Sequence, residues 1–129
     1  MTAEEAIYGR LKNDLTLRRY VGTRIYQERP KADDTFPLIV FVREGTETLP
    51  SFNSGPLMPA ARYAVETWAD TVTIRGTIAA RIATLLDCYS DYANGIHGMF
   101  LDDESALEIQ DAPLFAWSQS FRIFAGEAP

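Results

Sequence analysis

The sequence predicts an α+β fold: a mainly antiparallel sheet carrying an N-terminal helix and one long central helix, in the order α-β-β-β-α-β-β. Three patterns carry this expectation. Arg62–Ala69 alternates, with Tyr63, Val65 and Thr67 on one side and Arg62, Glu66 and Trp68 on the other, which is strand periodicity. Ile74, Ile78, Ile82, Leu85, Leu86 and Tyr89 form a helical stripe wide enough to cover a sheet. Phe115, Trp117, Gln119, Phe121 and Ile123 share one parity between Leu114 and Ala125. Strands joined directly favour antiparallel pairing, with the helices packed on the sheet.

The elements follow in order. Thr2 and Glu5 have capping-box spacing, in which each side chain satisfies an orphan amide of the other's backbone. The helix they start sets Ile7, Leu11 and Leu15 on one face. Asn13-Asp14 interrupts or re-caps it, and a second short helix, Leu15–Tyr20, stops at Gly22, a favoured left-handed position. Ile25-Tyr26 is a short strand ended by Pro30, and Lys31–Thr35 is a polar loop. Pro37 opens a strand from Leu38 to Glu44 whose nearly unbroken apolar start predicts partial cover on both faces. Thr46–Met58, rich in Pro, Ser, Asn and Gly, is expected to be a long loop, and such loops are usually functional or disordered. Asp70 or Thr71 caps the central helix, and Asn94-Gly95 ends it. Met99–Leu101 and Leu107–Gln110 are short strand candidates on either side of an acidic turn, Asp102-Asp103-Glu104.

Composition limits the function classes. The 129 residues suit one domain, 1–129, with no repeat or linker. Apolar residues make up 47% and charged residues 23%, which are globular values. One Cys excludes an intramolecular disulfide framework and fits a reducing compartment. The longest uncharged stretch, Thr48–Ala61, has 14 residues and three prolines, so no membrane span is expected, and the acidic N-terminus is unlike a signal peptide. A net charge of −6 argues against a tight phosphate-backbone binder.

Motifs for chemistry are missing. Neither glycine-rich phosphate loop occurs, and His97 and Cys88 match no zinc spacing. His97 is expected to be a plain loop residue and Cys88 a small core hydrophobe at the end of the central helix. Asp102, Asp103 and Glu104 lack the calcium-loop spacing, so a solvated turn is expected. No catalytic, cofactor-binding or metal-binding residue is assigned, and no cofactor is expected. Ten arginines accompany only two lysines, and Arg is the cation favoured at interfaces. Leu49, Phe52, Leu57 and Met58 place apolar side chains in the long loop. With Arg43 and Trp68 they are the candidate subunit-interface residues, since apolar groups in a loop either fold back or meet a partner.

Several segments together resemble a known family. They are Glu5-Ala6-Ile7-Tyr8-Gly9-Arg10-Leu11, Val21-Gly22-Thr23-Arg24-Ile25-Tyr26 and Pro37-Leu38-Ile39-Val40-Phe41. After the variable loop come Trp68-Ala69 before a long helix, the acidic Asp102-Asp103-Glu104, and Phe121-Arg122-Ile123. In this order they are similar to the tail-completion and tail-terminator proteins of long-tailed phages, prophages and gene transfer agents. Glu44–Pro59 does not match closely. The resemblance implies a structural, non-enzymatic subunit of a virion or phage-like particle tail, assembled in the host cytoplasm. It implies a homo-oligomeric ring, six-fold in such families, that caps the tail tube and ends its polymerisation. Its partners would be itself, the tail-tube protein and a head–tail adaptor or stopper protein. A closed ring needs a head-to-tail interface, for which a sheet edge and the Thr46–Met58 loop are the candidates. DNA would pass through without specific binding, and Asp102, Asp103 and Glu104 are the candidate lumen-facing acids. Two other readings compete: a head-completion or neck adaptor between portal and tail, and a small-molecule-binding or catalytic α+β domain using His97 and the nearby carboxylates.

Overall fold

A computed structural model describes residues 2–30, 35–49, 58–107 and 114–125. Its elements are α1 (Ala3–Lys12), α2 (Leu15–Val21), β1 (Ile25–Gln27), β2 (Leu38–Leu49), β3 (Met58–Ala69), α3 (Val72–Leu86), β4 (Tyr89–Asp91), a 3-10 turn (Tyr92–Asn94), β5 (Ile96–Leu107) and β6 (Phe115–Ala125). The six strands form one sheet in the order β1-β2-β3-β6-β5-β4. Only the β1–β2 pair is parallel. The expected α+β class and element order hold.

All three helices lie on one face of this sheet. Ile7, Leu11, Leu17, Val21, Ile78, Ile82 and Leu86 pack there against Ile39, Phe41, Tyr63, Val65, Met99, Phe121 and Ile123. The caps act as the sequence indicates. Thr2 and Glu5 complete the capping box, and the Asp14 and Thr71 side chains accept from the amides of Leu17 and Ile74. Leu38, Ile39, Val40 and Phe41 are all buried, so both faces of β2 are covered at its start. Gly22 has φ +58, a conformation that other L-residues rarely adopt.

Several expectations are corrected. Leu15 does not share the face of Ile7 and Leu11; it is 72% exposed. The break at Asn13-Asp14 starts a new helix, whose own turn points Leu17 and Val21 inward. Thr46–Met58 is not all loop, because Thr46–Leu49 continue β2 and Met58 begins β3, up to the pair Leu49↔Met58. Pro59 is accommodated since, among the described residues, β6 pairs with β3 only from Ala60 onward. Phe52 and Leu57 lie outside the described residues. The central helix stops at Leu86 rather than Asn94-Gly95. Cys88, at φ +60, turns the chain, and its amide donates to the Met99 carbonyl. Tyr89 therefore belongs to β4, while Gly95, at φ +84, closes the 3-10 turn. Cys88 is exposed, not a core residue.

The acidic run is no turn either. Asp102, Asp103 and Glu104 sit in the middle of β5, which replaces the two short strands expected around them. Residues 108–110 of the second candidate lie outside the described residues. Acidic residues are poor strand formers, but Asp102 and Glu104 have cross-strand partners that were invisible in sequence. His97 also lies within β5, exposed, with its ring edge-on to Tyr92.

Candidate assembly surface

The sheet face opposite the helices carries no described helix or strand over it, although Leu38, Val40 and Ala116 are buried there, and its side chains interact across four strands. Register sets the rows. Leu38, Trp68, Ala116 and Leu107 are level, as are Val42, Ala64, Ser120 and Asp103. Two bulges sit near the second row, one after Arg43 and one after Leu101. A bulge adds one residue to its strand and re-aims the side chains there. These two present Glu44 and Asp102 to the open face.

Asp102 Oδ2 lies 3.0 Å from an Arg62 guanidinium nitrogen and 3.6 Å from one of Arg122. Arg62 and Arg122 are themselves directly opposed on β3 and β6. Like charges directly opposed destabilise a sheet, and the shared carboxylate relieves that repulsion. The Ser120 hydroxyl donates to Glu44 Oε1 at 3.0 Å, passing over the small Ala64. Beside this polar belt, Phe100 and Phe124 meet edge to face with centroids 6.0 Å apart. The Phe100 ring covers Gly98, where a Cβ would come within 2.7 Å of it. At the other end, Trp68 Nε1 donates to Glu66 Oε1 at 3.1 Å. Among the described side chains the charged groups here are Glu44, Glu66, Asp102 and Asp103 against Arg62 and Arg122, an acidic balance.

The sequence-predicted residues fall in different places. Leu49 and Met58 are brought together as the last described pair of the β2–β3 hairpin. Trp68 stands on the open face. Arg43 stands on the helix side, 3.9 Å from Glu4 of α1 and over the ring of buried Tyr63. Burial, followed by the neighbouring Glu4 carboxylate, pushes the Tyr63 phenol above its ordinary pKa. The acidic run divides. Asp102 and Asp103 belong to the open face, whereas Glu104 is level with Gln119 on the helix side. There its carboxylate accepts from Gln119 Nε2 at 2.9 Å and Trp117 Nε1 at 3.4 Å. Sequence reasoning passed over Glu44, Arg62, Ser120 and Arg122. Their outward parity is readable, but which strands are neighbours is not.

Two grooves flank α3. One, of about 460 Å³, lies between it, α1 and β4. Its charges are already engaged: Arg81 grips Asp14 through two hydrogen bonds of 3.0 and 2.6 Å, and Arg10 donates to the Leu85 carbonyl and lies over Tyr89. The other, of about 510 Å³, runs between the small residues Gly76, Ala80 and Ala83 of α3 and the pair Glu104 and Trp117. Among the described residues no group of His, Cys, Asp and Glu is placed to hold a metal, and no helix is long and apolar enough to cross a membrane.

The described chain is thus a sheet with helices on one face and a polar belt on the other. The family model described as "Tail completion protein gp17" matches residues 5–125. The chain belongs to that family, and is a structural component of a phage-type virion tail, not an enzyme. Among solved structures it is similar to a chain of the "Virion of native gene transfer agent (GTA) particle". That match has a TM-score of 0.71 and 16% identity, and covers 92% of this chain and 90% of the other, a likeness of fold. No curated protein sequence matches.

Proposed function

We propose that this chain caps the tail tube as a ring of identical subunits, six in the closed assembly, ending tube polymerisation and presenting the tail-side surface for head–tail joining. The supporting observation is membership of the tail-completion family on a sheet whose two borders are, among the described residues, only half occupied. A subunit with two different unsatisfied borders suits the head-to-tail contact that a closed ring requires. The partners are further copies of the chain, the tail-tube protein and a head–tail adaptor or stopper protein. The open face lines the lumen, so that Asp102 and Asp103, with the balance of that face acidic, let DNA pass without capture. Glu104 points to the helix layer instead.

Residues 50–57 are the reaching element of the interface. Leu49 and Met58 are directly opposed, so a two-residue Asn-Gly turn can replace the segment between them. The shortened chain is expected to fold as a monomer and to form no ring on tail tubes in electron micrographs. An intact ring would remove the segment from the interface. Co-assembly of the full chain with a portal complex rather than with tail tubes would make it a neck adaptor instead, and a lumen lined mainly by Arg would overturn the acidic-lumen assignment.

A further inference from the structure

We infer that the ring closes by strand pairing between two particular half-edges: the outer side of β2 from Arg43 onward in one copy, and the outer side of β5 from Asp102 to Leu107 in the next. The inference rests on the ring reading above and names its interface.

Each border of the sheet is closed over half its length. β1 pairs with β2 only over Ile39–Phe41, and the pairing ends where the Glu28 amide donates to the Phe41 carbonyl and Glu28 turns away at φ +75. β4 covers β5 only near Ile96 and Met99, after which Asp87 Oδ1 takes the Leu101 amide and ends the ladder. Among the described residues no strand pairs with the remaining halves. Their backbone groups alternate in direction. Ile39 and Phe41 direct theirs toward β1, so Arg43 and, past the bulge, Thr46 and Thr48 direct theirs outward. Met99 and Leu101 direct theirs toward β4, so Glu104 and Ala106, past the other bulge, direct theirs outward.

The two halves are complementary. β2 and β5 run in opposite directions, so setting β2 of one copy beside β5 of another antiparallel keeps the helices of both on the same face. Within one copy, Ile39 is level with Ala106. Sliding the next copy by four residues, ~13 Å, brings Arg43 opposite Ala106 and Thr46 opposite Glu104. β1 of that copy then lies past Leu107, the last described residue of β5, and the described part of its hairpin ends before β4. A slide of two residues fails, because Phe41 is already bonded to Glu28.

Four residues of stagger across the four long strands is one residue per strand. Eight-stranded barrels of shear eight have the same ratio and a strand tilt of ~36°, inside the ~35–45° that closed barrels use. The stagger therefore permits closure. The groove between α3 and the Glu104–Trp117 pair lies beside this edge of β5. A two-fold contact of β2 with β2 would leave every β5 edge open, whereas the head-to-tail pairing covers both.

The test uses the full chain with Cys88→Ser, assembled on tail tubes. Arg43→Cys and Ala106→Cys in the same chain should yield covalent ladders up to the full ring under oxidation, and Arg43→Cys alone should yield none. Ala106→Pro should leave the circular dichroism and melting of the free chain unchanged, since that amide has no partner among the described residues, and should abolish the ring. Dimers from Arg43→Cys alone, rings of normal yield from Ala106→Pro, or rings in which the paired cysteines stay unlinked would overturn the edge assignment while leaving the ring reading intact. A wild-type chain that forms no ring on tail tubes would overturn both.

Discussion

Asp14 serves two elements at once. Its carboxylate caps α2 through the Leu17 amide and holds Arg81 of α3 through two hydrogen bonds. The Arg81 hydrogen bond is the main cause that lowers the Asp14 pKa, with the Leu17 amide adding to it against the cost of burial. A carboxyl depressed on folding stabilises the native state at pH values above its unfolded value of about 3.9, and that contribution is lost as pH falls through the folded value. Asp14→Ala is therefore expected to cost about 2 kcal/mol at neutral pH, through the lost cap and the unpaired Arg81. Urea unfolding should show the gap to wild type narrowing below pH ~4; a constant gap would count against the ion pair. Asp102 makes the second residue-scale prediction. Asp102→Asn leaves Arg62 and Arg122 side by side with a neutral neighbour and should cost about 1 kcal/mol, the partly exposed setting keeping it modest. Raising salt should shrink that cost in the same unfolding assay.

At the scale of elements, α3 and the α1–α2 pair separate cleanly into buried and solvent-facing positions. Ile82 is fully buried in the core, so Ile82→Ala should lower stability by about 3 kcal/mol. Leu15→Ala, although the same kind of truncation by sequence, should change it by less than about 0.5 kcal/mol, because Leu15 is exposed. Thermal melts of the two variants check both values, and equal losses would mean that α2 is oriented differently. The elements also show how much of the fold is legible in sequence. The capping box, the Asp14 and Thr71 caps, the Gly22 stop and the alternation of β3 depend on neighbours within four residues, and the chain states them directly. The end of α3 and the course of β5 do not. Cys88 leaves the helix because its amide finds Met99, and the acidic run stays extended because Arg62, Arg122 and Gln119 lie across from it.

For the whole molecule, the acidic open face sets the expected behaviour toward DNA. Assembled rings should not retard duplex DNA even at ~50 mM salt, where phosphate attraction is strong. Asp103→Lys rings should retard it, with an affinity that falls steeply as salt rises. Retardation by wild-type rings would contradict a lumen lined by this face.

The sequence by itself determined the α+β class, the order of the elements, the tail-completion resemblance and the lack of catalytic motifs. Those follow from short-range periodicity, caps and composition, which act between residues close in the chain. It also singled out Asp102, Asp103, Glu104, Arg43 and Trp68, but as undivided candidates. Only the tertiary structure decided that Arg43 and Glu104 stand on the helix side and Trp68, Asp102 and Asp103 on the open face. The reason is physical: a bulge shifts the parity of every residue after it, and strand order chooses which distant charges meet. The half-open borders of β2 and β5 likewise depend on where β1 and β4 stop, a property of pairing between strands and not of any one stretch of chain.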